Sequence, residues 1–285
     1  MFQTVSLLPL AAFFAIFAIY PFYELFRMSF SSLRLSNGSF IWSGAGMGNF
    51  TRAVHDPLFW SSVERSVVFI ACTTVGTVVL GTALAFLTDR VVVMRQVARN
   101  VLLWPAVVAP VVISAMWLLI LNPQIGLVNR ALDGLGMQPQ GWLGSVSGAF
   151  VAIVAVDVWH WTPLVYLLVY TALKGVDASV LEAAQVDGAR EWQTIRHVLL
   201  PLLIPAIVAA AAIRVVMGVK VFDEMYLLTG GGPGTATTVI SLEIRQVFFD
   251  QLHFGLGAAI SVLIVLGVLV VGVLGFALRH AVKTS

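Results

Sequence analysis

The sequence predicts an all-α integral membrane protein that crosses the bilayer six times, and two observations support this fold class. Of the 285 residues, 59% are hydrophobic and only 11% are charged, and the mean hydropathy is +0.96; average soluble domains are about half apolar and a quarter charged. Six segments also reach the length of about 20 apolar residues that a membrane-spanning helix needs. Strand-length alternating segments are too few to favour an outer-membrane barrel.

The six predicted spans follow one another along the chain. The N-terminal apolar run lacks the basic region and cleavage site of a signal peptide, so we interpret it as the first span. Residues 36–39, 134–144 and 229–234 are rich in turn-forming residues and separate later spans. We therefore predict one transmembrane domain over residues 1–285, with spans at about 5–26, 63–87, 101–121, 147–170, 202–228 and 255–278.

The distribution of Lys and Arg predicts the orientation of the chain. The net charge is only +2 and no Lys/Arg-rich run exists, which argues against a nucleic-acid partner. Short cytoplasmic loops carry an excess of Lys and Arg. The loops after the second and fourth spans and the C-terminus fit that rule, so we expect a multi-pass protein of the cytoplasmic (inner) membrane with both termini in the cytoplasm. The basic residues concerned are Arg90, Arg95, Arg99, Lys174, Arg190, Arg196, Arg279 and Lys283.

The loop between the fourth and fifth spans, residues 171–201, has a pattern of its own. Asp177 is placed to cap a short helix, in which Val180, Leu181 and Ala184 share one face. Gly188 can then take the left-handed conformation that ends a helix.

A second short helix is predicted to follow, with Trp192, Ile195 and either Val198 or Leu199 on one side, before Pro201 enters the first turn of the fifth span. Two short amphipathic helices of this kind could dock into the groove of another protein or lie at the lipid surface. The residues alone leave both alternatives open.

Two sequence motifs resemble a known family. The run Glu182-Ala183-Ala184, followed by Gly188 and then by Val198-Leu-Leu200-Pro201, resembles the EAA loop of permease subunits in bacterial binding-protein-dependent ABC importers, with Val198 in place of the usual isoleucine. The segment 221–234 resembles the fifth-span exit and external loop of the maltose- and glycerol-phosphate-type permeases. The resemblance implies a type I ABC importer permease fold and a sugar as the transported solute.

The resemblance also implies how such a chain works and with which partners. The EAA loop would be a coupling helix seated in a cytoplasmic ATPase, through which ATP binding switches the permease between inward- and outward-facing states. The partners implied are a second permease subunit, two ATPase subunits and an extracytoplasmic solute-binding protein that docks on the outer loops. The implied coupling residues are Glu182, Ala183, Ala184, Asp187, Gly188, Val198, Leu200 and Pro201, and the implied receptor-facing loop is Gly230, Gly231, Gly232, Pro233 and Gly234.

The chain itself carries no motif for nucleotide chemistry. The pattern G-x-x-x-x-G-K-[ST], which cradles phosphates, is absent from the sequence. We therefore expect that this chain is not an enzyme and binds no cofactor, and that ATP and Mg²⁺ belong to the partner ATPase. The five histidines lie in separate segments without a partner at ligand spacing, so no metal site is expected.

Two charged residues are predicted to lie at similar depth within the bilayer. Asp157 lies about 13–14 Å below the outer end of the fourth span, and Arg214 lies about 12 Å from the outer face of a core about 30 Å thick. Because ionisable groups at this depth usually face the bundle interior, we expect the two to approach each other, directly or through a water or a sugar hydroxyl. Mutual neutralisation without any further role is the alternative.

Residues near this pair are the candidates for the substrate pathway. Asp157, His160 and Trp161 share one helix face, and aromatic rings could stack on the C–H faces of a sugar, although aromatics near span ends are also common interface anchors. We expect Lys220 to pair with Asp223 or Glu224 at an outer gate. The candidates are Asp157, Trp159, His160, Trp161, Tyr166, Arg214, Asp223, Glu224 and Tyr226.

The sequence leaves alternative functions open. The same importer class could carry a polyol phosphate, an amino acid or a peptide; a cluster of cationic side chains would favour an anionic solute, and only Arg214 is a candidate for one. An intramembrane enzyme is disfavoured because the spans contain no paired catalytic groups. A simple channel is disfavoured because it would give the EAA element no purpose.

Overall fold

The structure is a computed structural model, which describes residues 9, 13–36, 38–90 and 95–284. The chain divides into two compact units, Met1–Val63 with Leu242–Ser285, and Glu64–Ser241. Helices form most of both units, as the composition predicts.

The first unit combines helices with one small sheet. A π-helical turn at Ala15–Ile19 leads into its first helix, and another at Gln246–Asp250 precedes its last. A two-stranded antiparallel hairpin, which was not among the predicted elements, turns through Gly38 at φ +76°. The elements are α1 (Tyr20–Ser29), β1 (Ser31–Ser36), β2 (Ser39–Gly44), α2 (Gly48–His55), the start of α3 (Pro57–Arg90), and α12 (Phe254–Thr284).

A close contact among α1, α2 and α12 holds the helices of this unit together. The Asn49 side chain donates hydrogen bonds to the carbonyls of Ser29 and Ser31, at 2.9 and 3.0 Å. Gly255 of α12 lies directly against this site, where an added Cβ would lie 2.2 Å from the Ser31 carbonyl oxygen. Nearby, Phe50 of α2 forms a small hydrophobic core with Ala259 and Val262 of α12. The absence of a side chain at Gly255 therefore allows α12 to pack against α1 and α2.

The second unit contains the helices that position the candidate site. Its helices after α3 are α4 (Arg95–Val107), α5 (Pro110–Ile120), α6 (Leu127–Gly134), α7 (Val146–Lys174), α8 (Ala178–Val186), α9 (Glu191–Val219) and α10 (Asp223–Leu228), and α11 (Ile240–Arg245) begins at its end. Ser145 caps α7 by accepting a hydrogen bond from the Gly148 amide at 3.1 Å. Helix α7 packs against α4, α5, α9 and α10 and is the central element of the unit.

Two glycines let the long helices of this unit approach one another closely. At Gly81 of α3 an added Cβ would lie 2.8 Å from the Cβ of Val165 on α7. At Gly218 of α9 it would lie 2.9 Å from a side-chain carbon of Ile70 on α3. Small residues are common where membrane helices touch. Lipid is as apolar as the side chains, so the hydrophobic effect does not hold the helices together, and close van der Waals packing does so instead. Helices α3, α7 and α9 thus form a tightly packed bundle.

Helices long and apolar enough to cross a membrane correspond to most of the predicted spans. Among the described residues, four helices meet this criterion, and a bent pair of shorter helices makes a fifth if it counts as one span. Of the first predicted span, at 5–26, residues 5–8 and 10–12 lie outside the described residues, and the described part at 13–26 is helical. The count of six spans stays a prediction.

The third predicted span, at about 101–121, is not the single continuous helix that we expected. Helix α4 ends at Val107 and α5 begins at Pro110, with an angle of 104° between the two segments. Proline has no amide hydrogen and disfavours the helical conformation of the residue before it; Ala109 accordingly is extended, with φ −61° and ψ 140°. The break exposes backbone groups that need partners inside an apolar bundle.

The fifth predicted span, at about 202–228, also differs from the structure. The helix begins earlier, at Glu191, and ends at Val219. The chain leaves helical geometry at Lys220 and Phe222 before α10 begins at Asp223. Asp223 and Glu224 of the expected outer gate therefore lie on a separate short helix, whereas Lys220 directly follows the end of α9.

We predict that Gly81→Ala destabilises the protein by about 1–3 kcal/mol, because the new methyl group overpacks the contact between α3 and α7. Alanine otherwise favours a helix over glycine by about 1 kcal/mol, so a loss of stability would identify the close contact. Thermal unfolding in detergent measures the effect. The control is Gly267→Ala in α12, where nothing lies within 4 Å of the added Cβ. Equal stability changes in the two variants would contradict close packing at Gly81.

Candidate functional site

The second unit encloses an ion pair within its apolar helices. Arg214 of α9 donates a hydrogen bond through Nη2 to Oδ1 of Asp157 on α7, and the two side chains are 1% and 2% exposed. Arg214 Nε also lies 3.4 Å from the hydroxyl of Thr77 on α3. The structure thus brings together the two residues whose similar depths predicted an approach, and it joins three helices at that point.

A second pair of titratable groups lies beside the first. His160 follows Asp157 by one helical turn on α7, and its Nδ1 lies 3.5 Å from Oε1 of Glu224 on α10. The other ring nitrogen, Nε2, lies 3.3 Å from the carbonyl oxygen of Val108, at the break between α4 and α5. Both side chains are buried, at 0% and 5% exposure. His160 therefore lies close both to the break between α4 and α5 and to α10.

Trp161 borders the same cluster. The centroid of its ring lies 5.9 Å from the guanidinium carbon of Arg214 and 4.5 Å from the centroid of the His160 imidazole. The indole is half-buried, so the residue can offer an aromatic face next to the charged groups. An aromatic face beside paired charges is the combination that binds a polyhydroxylated ring, since apolar C–H groups stack while hydroxyls exchange hydrogen bonds.

The other candidates for the substrate pathway lie elsewhere. Trp159 is 41% exposed and contacts Trp117 edge-to-face at 5.5 Å; two residues from Asp157, it faces another side of α7. Tyr166 is fully buried in an apolar cluster, stacked on Tyr170 at 5.5 Å. Its placement is that of a core residue.

The predicted partners at the outer gate are rearranged. Lys220 forms no ion pair with Asp223 or Glu224 within the described part of the chain, because the helix ends before it and the expected i+3 and i+4 spacing is lost. Glu224 instead faces His160, whereas Asp223 is half-buried. Tyr226 is 40% exposed and stacks on Phe222 with centroids 5.2 Å apart.

Sequence reasoning missed two members of the buried cluster, Thr77 and the Val108 carbonyl. Thr77 is a polar residue in an apolar span, and its hydroxyl also donates to the Thr73 carbonyl at 2.7 Å, so the residue alone gave no functional signal. The carbonyl could have been found from Pro105 and Pro110, because two prolines within a predicted span indicate a break that frees backbone groups.

The loop after α7 presents an exposed short helix, α8. Asp177 caps it by accepting a hydrogen bond from the Ser179 amide at 2.9 Å, and the hydrogen bonds from the Ser179 amide and hydroxyl hold the pKa of Asp177 below its ordinary value. Ala184 is buried, whereas Glu182 and Ala183 are exposed. The helix therefore anchors one face and leaves the other accessible.

Gly188 ends α8 with a φ of +73°, and the adjacent Asp187 is exposed. The second helix of the loop is continuous with the fifth span rather than separate: α9 runs from Glu191 through a π-helical segment, Thr194–Leu199, into the helix that ends at Val219. Trp192 is 65% exposed rather than packed with Ile195. Of the remaining motif residues, Val198 and Leu200 are half-buried, and Pro201 is exposed.

Ion pairs hold this loop to the end of α3. Arg90 contacts Glu191 at 2.9 Å, and Lys174 at the end of α7 pairs with Asp89. Exposed pairs contribute little stability individually, but these two connect both ends of the loop to one neighbouring helix. The position of α8 is thereby linked to α3.

The glycine-rich loop at 230–234 is ordered by threonine side chains. Thr237 donates through its hydroxyl to the Gly232 carbonyl at 3.0 Å, and its amide donates to the Gly231 carbonyl at 3.0 Å. Gly230, Gly231 and Gly234 have positive φ, which only glycine adopts readily. Gly230 and Gly234 are exposed, Gly231 is buried, and Gly232 and Pro233 are half-buried.

Comparisons with known proteins give consistent matches. The family model described as "Binding-protein-dependent transport system inner membrane component" matches residues 1–284. The chain is 36% identical over 218 residues to the trehalose/maltose transport system permease protein MalF of Thermococcus litoralis, covering 76% of this chain and 74% of that one. It is 32% identical to the sulfoquinovosyl glycerol transport system permease protein SmoG of Agrobacterium fabrum, covering 90% and 83%.

A solved structure shares the fold. The crystal structure of a bacterial ABC transporter involved in the import of the acidic polysaccharide alginate contains a chain that superposes with a TM-score of 0.85 at 21% identity. The match covers 98% of the present chain and 95% of the other.

We predict that Asp157→Asn or Arg214→Gln alone lowers the free energy of unfolding by about 3–5 kcal/mol, because each leaves a buried charge without its partner. The double variant Asp157→Asn/Arg214→Gln should recover a large part of that loss, since it removes both charges. Thermal unfolding of the four proteins in detergent gives the coupling energy. Strictly additive losses would show that the two side chains act independently.

Proposed function

Since this chain belongs to the family of binding-protein-dependent transport system inner membrane components, we propose that it forms part of the pathway through which an ATP-driven importer moves an uncharged sugar by alternating access. The observation that carries this proposal is the charge-compensated buried pair Asp157–Arg214, bordered by Trp161. This site offers hydroxyl partners and an aromatic face, and its buried cation, Arg214, is already paired with Asp157.

Family membership establishes the general role. The chain is the permease component of an ABC importer and is located in the inner membrane. It has the fold of type I ABC importer permeases. Because the ATPase of such importers is a separate subunit, this chain is not itself an enzyme.

The names of the relatives and the site chemistry both favour a sugar. MalF is named for trehalose and maltose, and SmoG is named for sulfoquinovosyl glycerol. In the present chain Arg214 is fully buried and already paired, so its charge is not available to a solute phosphate, sulfonate or carboxylate. An anionic solute would leave its charge uncompensated in a low-dielectric site. An uncharged sugar fits better than a polyol phosphate, and the same argument disfavours amino acids and peptides with free carboxylates.

We assign coupling to α8. Its exposed face carries Glu182 and Ala183; Glu182 would form an ion pair or hydrogen bond with an ATPase residue, and Ala183 would permit close approach. ATP and Mg²⁺ would bind to two such ATPase subunits, with no cofactor on this chain. In the chain, α8 connects α7, which carries Asp157, to α9, which carries Arg214. A movement of α8 would therefore move both helices that hold the ion pair.

The proposal also includes two further protein partners and the orientation of the chain in the membrane. A second, similar permease subunit would supply the other half of the pathway. An extracytoplasmic solute-binding protein would dock on outer loops that include 230–234, and both chain termini would lie in the cytoplasm. The supporting observations are the basic loops after the second and fourth predicted spans and the two exposed glycines of the 230–234 loop.

The class of transported solute can be tested by measuring which solutes stimulate ATP hydrolysis. We expect uncharged sugars to stimulate the ATPase activity of the reconstituted complex in the presence of its solute-binding protein. Amino acids, peptides and polyol phosphates should leave that activity at its basal level, because the buried cation Arg214 is already paired with Asp157. Measuring ATP hydrolysis across such a panel checks this. Stimulation by a phosphate ester or an amino acid in place of the sugars would refute the assignment.

We predict that Ala183→Trp uncouples transport from ATP hydrolysis while the protein stays folded, because residue 183 is exposed and the larger ring obstructs close approach of a partner. Uptake should fall about tenfold or more, which corresponds to about 1.4 kcal/mol of lost contact energy. Basal ATP hydrolysis and thermal stability should be retained.

The matched control is Ala178→Trp, an exposed alanine of the same helix that lies about 140° around its axis from residue 183. This variant should transport normally. If both variants transport normally, the exposed face of α8 is not the coupling surface.

A further inference from the structure

His160 connects three elements of the second unit. It belongs to α7, its Nε2 lies 3.3 Å from the Val108 carbonyl oxygen at the break of the bent span, and its Nδ1 lies 3.5 Å from Oε1 of Glu224 on α10. Helices α5 and α10 also pack against each other. We refer to His160, Glu224 and the Val108 carbonyl as the His160 junction.

The chemistry of this junction requires one proton more than neutral histidine and ionised glutamate provide. A neutral imidazole has one N–H donor and one lone pair. Nε2 of His160 lies 3.3 Å from the Val108 carbonyl oxygen, whereas the buried Nδ1 has no hydrogen-bond partner among the described residues and lies 3.5 Å from Oε1 of Glu224. A single ring proton on Nε2 therefore leaves the Nδ1 lone pair beside a carboxylate oxygen. An additional proton, on the imidazole or on the Glu224 carboxyl, would supply the donor that the contact between Nδ1 and Oε1 lacks.

Charge balance gives the same result. The charged groups near the junction are Asp157 on the same helix and Arg214 on α9, which compensate each other. Lys220 and Asp223, which precede Glu224 in the chain, also carry opposite charges. Helix α5 contains no charged residue, and Arg95 and Arg99 lie at the far end of α4 from Val108. Without the extra proton, Glu224 would place an uncompensated negative charge in the apolar bundle, which is costly. With it, the four side chains together are neutral.

We propose that His160 and Glu224 bind one shared proton, and that this proton site fastens the break between α4 and α5, together with α10, to α7. The broken span has a free carbonyl that must find a donor inside the bundle, and His160 supplies it. If the chain alternates between two states during transport, the junction must open and close when α5 and α10 move relative to α7. The proton site itself does not depend on the proposed function.

The proton can be detected directly. We expect nitrogen-15 NMR of the full-length chain, purified with its partner subunits in lipid nanodiscs at neutral pH, to show one imidazole with both nitrogens protonated, or infrared spectroscopy to show one protonated carboxyl band. The signal should disappear in Glu224→Gln and persist in His253→Gln, an exposed histidine elsewhere in the chain. A neutral His160 ring with no protonated carboxyl at Glu224 would overturn the proposal.

Stability measurements provide a second test. In Glu224→Gln the amide can donate to Nδ1 of a neutral His160, so the junction closes without the extra proton. We expect the melting temperature of the wild type to fall as pH is raised, because the proton is then lost, and that of Glu224→Gln to fall less over the same range. Glu224→Ala should melt at a lower temperature than Glu224→Gln at every pH. Identical pH profiles for the wild type and Glu224→Gln would overturn the proposal.

These results separate the proton site from the transport proposal. If the spectroscopic signal is present but sugars do not stimulate ATP hydrolysis, the proton site stands and the solute assignment fails. If sugars stimulate ATP hydrolysis but the signal is absent, the proton site fails and the solute assignment stands.

Discussion

The second unit depends on keeping charge compensated inside an apolar helical bundle. Asp157 and Arg214 neutralise each other at almost complete burial, and each would be costly alone. The pair sets the relative positions of α7 and α9, while Thr77 adds α3 to the same contact. The His160 junction extends this arrangement to α10 and to the break of the bent span. The most polar point of the bundle is therefore also the point at which most of its helices meet.

This arrangement suggests how a loop outside the bundle would influence the pathway. Helix α8 directly links α7 to α9, and the pairs Arg90–Glu191 and Lys174–Asp89 hold both of its flanks to α3. A partner that moves α8 would move the three helices that meet at Asp157 and Arg214. A polar site that links several helices can alternate between discrete arrangements, because packed interfaces shift between states rather than deform continuously.

Composition, depth and short-range pattern were enough to predict part of this molecule. Most spans, the Asp177 cap, the Gly188 turn and the approach of Asp157 to Arg214 could be derived from such signals. Features that depend on tertiary geometry could not. The contact of His160 with Glu224, for example, requires α10 to turn away from α9. The hairpin, in contrast, was available from the sequence, because Leu33 and Leu35 alternate with polar residues and Asn37-Gly38 follows them. The break at Pro110 was available from the sequence, but continuous hydrophobicity concealed it.

Neutralisation of Arg214 by Asp157 is the property that makes the site suitable for an uncharged solute. It can be tested by comparing the uptake of an uncharged sugar with that of its uronate analogue, for wild type and Asp157→Asn, in reconstituted vesicles with the complete importer. The ratio of the two uptake rates within each protein is independent of the amount of folded importer. We expect Asp157→Asn to shift this ratio towards the acidic sugar, because Arg214 becomes available to a carboxylate. An unchanged ratio would show that the neutralised pair does not determine the charge of the solute.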